Sequence, residues 1–232
     1  MNNELSQSLS SNDKELDKKA SNLGIGGNYS PEKDESLYKA RMQKRKEIQI
    51  ERLKIRKSQK GLIIVFTGNG KGKTTAALGM ALRTIGHGQK VAIIQFIKGA
   101  WETGEEKALK KLSKDITWHS LGEGFTWETQ DRIRDQKIVE GAWEQAKKYI
   151  QNNLYKLVIL DEINIATKLG YLNPEDIIKF IKSINNRNNH IVLTGRGASK
   201  SIIEFADLAT EMNLIKHPFK EQGIKAQKCI EY

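Results

Sequence analysis

The clearest pattern in the chain is an alternation of short apolar runs with longer segments whose apolar positions recur at helical spacing. Continuous apolar runs predict strands, which fall at 62–67, 91–96, 116–120, 156–161 and 190–194, with short ones near 209–214 and 226–231. Between them, helices are predicted at 73–86, 104–113, 129–151, 174–184 and 199–206. Strands that are apolar at successive positions are typical of sheets covered on both faces, so we expect a doubly wound, mainly parallel α/β sheet.

The first 60 residues differ in character from this alternating region. Residues 1–36 are rich in Ser, Asn, Lys, Asp and Glu, and a segment of that composition is expected to be disordered. Residues 37–60 predict a basic amphipathic helix, in which ten Lys or Arg between Lys39 and Lys60 are balanced only by Glu47 and Glu51. The alternating region, 61–232, is then expected to form the main domain.

A formal net charge of +11 on 232 residues raises the question of a nucleic-acid partner. The basic helix supplies most of this excess, yet it nearly lacks aromatic side chains for base stacking and equally fits an ordinary solvated helix. Cys229 is the only cysteine, which excludes an internal disulfide and is typical of an intracellular protein. No apolar run approaches the roughly 18 residues that a membrane-spanning helix needs, so we expect a cytoplasmic protein without membrane contact.

A glycine-rich turn follows the first predicted strand and opens the first helix of the main domain. Its backbone N–H groups and the helix dipole favour a polyphosphate, and the turn consists of Gly68, Asn69, Gly70, Lys71, Gly72, Lys73, Thr74 and Thr75. Lys73 is expected to neutralise phosphate charge, and the Thr74 hydroxyl to face a magnesium ion. The pattern G-x-x-x-x-G-K-[ST] places Thr67 where its first glycine would stand. The chain is therefore expected to bind a nucleoside triphosphate in a P-loop NTPase-like domain.

Two carboxylates follow the buried strand at 156–161. Asp161 and Glu162 come directly after four apolar residues, which is the position of a Walker B acid. Such an acid holds the divalent ion that bridges nucleotide phosphates, with magnesium expected and manganese as an alternative. We therefore expect one of these two carboxylates to contact the metal.

Three further positions carry candidate chemistry. Phe125 and Trp127 stand between glycines in the loop after the third strand, where they either anchor the loop to the domain or form an apolar platform for a large flat ligand. Arg196 lies between two glycines after the fifth strand, which suits a phosphate or ribose contact but also an ordinary surface turn. Arg83 lies near the end of the first helix of the domain.

Together these segments resemble one family, the ATP:corrinoid adenosyltransferases of bacterial cobalamin synthesis and salvage. The resemblance covers residues 61–232 and, more weakly, the basic helix. It rests on the segments 66–75 (FTGNGKGKTT), 86–88 (GHG), 95–99 (QFIKG), 124–130 (GFTWETQ), 160–162 (LDE), 194–197 (TGRG) and 223–227 (GIKAQ). The segment GFTWETQ is far more specific than the phosphate loop, which many unrelated nucleotide-binding proteins share.

The resemblance implies a reaction and assigns residues to it. In that family a cobalt(I) corrinoid attacks the 5′ carbon of ATP and inorganic triphosphate leaves. The loop Gly68–Thr75 would hold the triphosphate, with Lys73 as the main countercharge. Thr74 and Glu162 would hold magnesium with Asp161 close by, Phe125 and Trp127 would pack on the lower face of the corrin, and Arg83 and Arg196 would contact phosphate or ribose.

The resemblance also implies partners. The substrate would be cobalamin or a corrinoid precursor, the electron donor a flavoprotein or reduced flavin, and the assembly a homodimer. ATP would lie in the loop in the reverse sense to hydrolases, and the basic helix would fold over the corrinoid as a lid, so that no nucleic-acid partner is expected. The competing hypotheses are a nucleic-acid-stimulated ATPase and a regulatory nucleotide-binding module without turnover.

Overall fold

A computed structural model describes residues 11–22, 35–55, 59–97, 103–120 and 131–231. The chain divides into two compact units, 1–59 and 60–232. Within the described residues, no helix is both long and apolar enough to cross a membrane.

The N-terminal unit contains two helices, α1 (Ser11–Asn22) and α2 (Glu35–Ile55), which pack against each other. Leu16 and Ile48 are buried, and Arg52 forms an ion pair with Asp17 at 2.8 Å. Helix α1 lies in the segment whose composition predicts disorder, and it packs on α2. The disorder of residues 1–36 stays a prediction. The lid role of α2 stays a prediction, and the other residues of 1–36 lie largely outside the described part of the chain.

The second unit follows the predicted alternation of strands and helices. Its strands are β1 (Ile63–Thr67), β2 (Lys90–Gln95), β3 (Ile116–Ser120), β4 (Tyr155–Asp161), β5 (His190–Thr194) and β6 (Leu208–Glu211). Its helices are α3 (Lys73–Gly86), α4 (Gly104–Leu112), α5 (Arg132–Gln151), α6 (Ile163–Lys168), α7 (Pro174–Ser183), α8 (Lys200–Phe205) and α9 (Pro218–Gln222).

The six strands form one sheet in the order β3-β2-β4-β5-β1-β6, and all five pairings are parallel. The predicted doubly wound α/β architecture is confirmed. The short strand predicted at 226–231 is wrong, because the chain leaves α9 at Gly223 with a positive φ and residues 228–231 form a turn. Ile230 there is 77% exposed, so the segment has no buried face that would favour strand pairing.

Helices cover both faces of the sheet, which explains why the strands are apolar at successive positions. Along β1, Ile63 and Val65 pack with α5, α6, α7 and α8, whereas Ile64 and Phe66 pack with α3 and α4. Strand residues alternate between the two faces, so each strand supplies side chains to both cores.

The strand order brings three loops together at one edge of the sheet. Strands β4, β5 and β1 are neighbours, so the turns after them, at 161–162, 195–198 and 68–72, leave the same edge side by side. In open parallel sheets ligands bind beyond the carboxyl ends of the strands. The topology therefore collects the predicted phosphate loop, the two carboxylates and Arg196 at one place.

Candidate nucleotide and metal site

The glycine-rich loop joins β1 to α3 and is held by the backbone that follows β6. Gly70 N donates to Met212 O at 2.6 Å, and Met212 N donates to Thr67 O at 2.9 Å. Gly68 has φ +93°, and a Cβ atom there would lie 2.5 Å from Met212 O. Glycine is needed at this position both for the left-handed backbone and for the close approach of the neighbouring chain.

Thr67, which stands in place of the first glycine of the motif, is the last residue of β1 and is buried. Its Oγ1 accepts a hydrogen bond from Ala198 N at 3.1 Å. The threonine therefore ties the start of the phosphate loop to the turn after β5. The reversed lie of ATP in the loop stays a prediction from resemblance.

Lys73 begins α3 and is 6% exposed, with its ammonium group inside the loop. Its Nζ donates to Gly70 O. Burial lowers the pKa of Lys73, and the nearby Arg196 and Lys71 lower it further, while Glu162 acts in the opposite direction. A cation in such poorly hydrated surroundings, next to other cations, favours an anionic ligand.

Asp161 ends β4, is 3% exposed, and accepts three side-chain hydrogen bonds. Thr74 Oγ1 and Thr194 Oγ1 donate to its Oδ1 at 2.8 and 2.7 Å, and Gln95 Nε2 donates to its Oδ2 at 3.1 Å. The donors come from α3, β5 and β2. Because the Thr74 proton points to Asp161, the hydroxyl oxygen keeps its lone pairs for a cation.

Glu162 follows at once, in the left-handed conformation with φ 61°. Its backbone N–H donates to Thr194 Oγ1 at 2.9 Å, but its Oε2 is buried and has no hydrogen-bond partner among the described residues. Burial, followed by the neighbouring Asp161, raises the pKa of Glu162 to about 7. A Cβ atom on Gly195 would lie 2.9 Å from Oε2, so glycine there leaves room for this carboxylate.

These side chains fit a divalent cation. A buried carboxylate oxygen without a donor, beside a second carboxylate and a hydroxyl, offers the oxygen ligands that Mg²⁺ prefers. Within the described ranges no group of three or more His, Cys, Asp or Glu could hold a metal by itself. The remaining ligands would therefore be phosphate oxygens and water, as is usual for Mg²⁺ bound with a nucleotide.

The other predicted residues divide into two groups. Arg196 is exposed at the turn after β5 and is close enough to affect the pKa values of Lys71, Lys73 and Glu162, so the structure brings it to the site. Lys71 is exposed and forms an ion pair with Glu231 near the C-terminus, while Asn69 and Thr75 are exposed on the loop and the helix.

Arg83 is not brought to the loop. It lies ten residues beyond Lys73 on α3, about 15 Å along the helix axis at about 1.5 Å per residue, and it is exposed. Its contact with phosphate or ribose therefore has no support from the fold. Phe125 and Trp127 lie outside the described residues, and their contact with a corrin stays a prediction.

Sequence reasoning assigned no individual role to several residues that shape the site, namely Gln95, Trp118, Thr194, Met212 and Glu231. Gln95 and Thr194 are the last residues of β2 and β5, and a polar residue ending an apolar strand is a signal that could have found them. The role of Met212 uses backbone atoms only, so no residue type indicates it.

The site consists of a strand, a glycine-rich loop and a helix on a parallel sheet, with acids at the end of β4, which is separated from β1 by β5. This arrangement defines the class of P-loop nucleotide-binding proteins. Residues 59–232 match the family model described as ATP:corrinoid adenosyltransferase BtuR/CobO/CobP. Because this match covers most of the chain, the chain belongs to the ATP:corrinoid adenosyltransferase family. The resemblance stated from sequence motifs is confirmed, and the class of reaction is adenosyl transfer to a corrinoid, with ATP and the corrinoid as substrates.

Three curated relatives support this assignment. The corrinoid adenosyltransferase of Sinorhizobium sp is 47% identical over 209 residues, covering 90% of this chain and 97% of that protein. The corrinoid adenosyltransferase of Pseudomonas aeruginosa is 46% identical over 205 residues, covering 88% of this chain and 100% of that protein. Corrinoid adenosyltransferase CobA of Salmonella typhimurium is 40% identical over 197 residues, covering 84% of this chain and 97% of that protein.

The raised pKa of Glu162 gives a pH prediction. The carboxyl has a pKa of about 7 in the folded protein against 4.5 ordinarily, so the folded state keeps the proton more tightly. Stability is therefore lost as the pH rises from 4.5 through about 7. Glu162→Gln should stabilise the metal-free protein at pH 8 by at most about 3 kcal/mol, and by much less near pH 5.

The measurement is the free energy of unfolding in urea across this pH range, without nucleotide or divalent ions. Glu144→Gln is the matched control, because Glu144 is exposed on α5 and pairs only with Lys147 at 2.7 Å among the contacts described. An identical pH dependence for both variants would contradict the assigned state of Glu162.

Proposed function

We propose that this chain transfers the 5′-deoxyadenosyl group of ATP to the cobalt(I) of a corrinoid and releases inorganic triphosphate. The cobalt electron pair forms the new bond to the 5′ carbon. The bond from that carbon to the α-phosphate oxygen breaks, and its electrons leave with the triphosphate. The attacking atom belongs to the substrate, so the task left for the protein is to bind, orient and neutralise charge.

The observation that carries the proposal is the buried ammonium of Lys73 inside the phosphate loop of a chain of this family. Negative charge grows on the triphosphate as the bond to carbon breaks. A fixed cation in poorly hydrated surroundings stabilises that charge more than it would in water. Arg196, which acts electrostatically on the same group of side chains, adds to this effect at the rim.

Thr74 and Glu162 are proposed to hold the magnesium ion that accompanies ATP, with Asp161 fixing the Thr74 hydroxyl. The ion, when bound, neutralises phosphate oxygens. In return a divalent charge beside Glu162 would keep its carboxylate ionised near pH 7, where burial alone favours the protonated form. Binding of the metal, binding of the nucleotide and ionisation of Glu162 are therefore expected to favour one another.

Phe125 and Trp127 are proposed to form the apolar surface under the corrin, as the family resemblance implies. An apolar surface offers no lower axial ligand to the cobalt, and a cobalt(II) ion without that ligand is easier to reduce. A flavoprotein or reduced flavin is proposed as the electron donor and a homodimer as the assembly. Both follow from the resemblance.

The direct test is product identification with ATP, magnesium and a chemically reduced corrinoid. The proposed reaction yields a light-sensitive cobalt to carbon bond and an equal amount of triphosphate. Lys73→Ala should lower the rate by about 100-fold or more, since a preorganised charge at the leaving group is lost. Lys148→Ala, an exposed lysine at the end of α5, is the control and should be unaffected.

ADP with inorganic phosphate as the products would overturn the proposal, and so would full activity of Lys73→Ala. Stimulation of ADP release by a polynucleotide would favour an ATPase instead. Binding of ATP without any product would indicate a regulatory module.

The role of Trp127 makes a separate prediction. Trp127→Ala should lose at least about tenfold more activity when cobalt(II) must be reduced in the site than when cobalt(I) is supplied, which is about 1.4 kcal/mol of selective loss. Trp127→Phe retains an apolar surface and should lose less. Equal losses of Trp127→Ala in both assays would contradict the axial-ligand role.

A further inference from the structure

Three neighbouring strands end with polar side chains that are hydrogen-bonded to one another. Strand register pairs Gln95 of β2 with Asp161 of β4 on one side and with Ser120 of β3 on the other. Trp118 lies two residues before Ser120, so both point to the same face of β3. The side chains of Ser120, Gln95 and Asp161 therefore form a row across three adjacent strands, and Trp118 lies beside it.

The side-chain amide of Gln95 lies in the middle of this row and is almost fully buried. Its Oε1 accepts from Trp118 Nε1 at 3.0 Å and from Ser120 Oγ at 2.8 Å. Its Nε2 donates to Asp161 Oδ2 at 3.1 Å. The amide thus bonds on one side to the buried Trp118 and the half-buried Ser120, and on the other side to the buried Asp161.

Trp118 and Asp161 together determine which way the Gln95 amide faces. An indole N–H can only donate, and that of Trp118 is shared between Gln95 Oε1 at 3.0 Å and Ser120 Oγ at 3.1 Å, which places the amide oxygen on this side. The NH₂ group is then directed to Asp161, which as a carboxylate can only accept. The hydrogen-bond roles along the row admit one orientation of Gln95, and this orientation always presents a donor to Asp161.

The bond from Gln95 complements the two bonds on the other carboxylate oxygen. Thr74 and Thr194 donate to Oδ1, so a donor on Oδ2 prevents rotation of the carboxylate about its terminal bond. The rotation matters because Asp161 orients the Thr74 hydroxyl, whose oxygen faces the proposed metal. Without Gln95, a buried carboxylate oxygen would lose its donor.

We propose that Gln95 is a positioning residue for metal and nucleotide binding, held in place by Trp118 and Ser120, which fixes Asp161 and through it the Thr74 hydroxyl. This inference rests on the proposed function only in taking Thr74 and Glu162 as ligands of the ion that accompanies ATP. Gln95 acts through Asp161 and does not itself contact substrate.

The test measures metal affinity directly. Free Mn²⁺ is followed by electron paramagnetic resonance during titration of the full chain with ATP kept below the chain concentration, so that the nucleotide is bound to protein and does not chelate Mn²⁺ in solution. Metal-free ATP binding is measured in parallel. Gln95→Met has similar length but no polar atoms, so it removes the donor to Asp161. It should weaken Mn²⁺ binding about tenfold or more, as removal of groups that orient metal ligands generally does.

Metal-free ATP binding should change less than about twofold, since the phosphate loop itself is untouched. The control is Gln145→Met, which removes an amide bonded to Tyr149 Oη at 3.2 Å on α5 and should leave both affinities unchanged. Wild-type Mn²⁺ affinity in Gln95→Met would overturn the proposal. Equal losses of Mn²⁺ and metal-free ATP binding would also overturn it, because they indicate general damage to the fold.

Trp118→Phe serves if Gln95→Met does not fold. It removes one of the two donors to the amide oxygen while Ser120 remains, so a two- to threefold loss of Mn²⁺ affinity supports the proposal and no change contradicts it. The experiment needs no corrinoid. If Gln95→Met weakens Mn²⁺ binding as expected but the wild-type chain releases ADP from ATP, the proposed reaction is refuted and the role of Gln95 stands.

Discussion

Two adjacent carboxylates at the buried end of β4 are the constraint on which the site depends. Burying a charge is costly unless hydrogen bonds or an opposite charge compensate for it. Asp161 is compensated by three side-chain donors, whereas Glu162 has a buried oxygen without a donor among the described residues. The pKa of Glu162 is therefore raised, and a divalent cation beside the carboxylate would stabilise its ionised form.

The same constraint explains why the surrounding residues have the types they do. Gly195 leaves room for the Glu162 carboxylate, and Thr194 both donates to Asp161 and accepts from the Glu162 backbone. Lys73, the first residue of α3, supplies positive charge near Glu162. These groups are fixed by strands and by the start of α3, which are the rigid elements of the domain. The proposed reaction, in which a polyanion departs, would benefit from this kind of preorganised charge.

The sequence predicts the sheet, the phosphate loop and both carboxylates because each depends on local residue order. Apolar runs predict strands, and glycines followed by Lys73 and Thr74 predict the loop. Contacts between distant segments are less accessible. Gln95 and Asp161 meet only because β2 and β4 are neighbours in register, and the strand order determines that. Closeness in sequence has its own limit, since Arg83 follows Lys73 by ten residues but the rise of α3 carries it about 15 Å along the helix axis. Its contact with phosphate or ribose stays a prediction.

Identifying which bond of ATP breaks is the most direct test of whether the phosphate loop holds a leaving group. ATP that carries ¹⁸O in the bridge between the 5′ carbon and the α-phosphorus, incubated with magnesium and a cobalt(I) corrinoid, reports this bond by mass spectrometry. Attack at the 5′ carbon leaves the ¹⁸O in inorganic triphosphate and none in the adenosyl product. Recovery of the label in ADP would show cleavage at the γ-phosphate and would contradict adenosyl transfer by this chain.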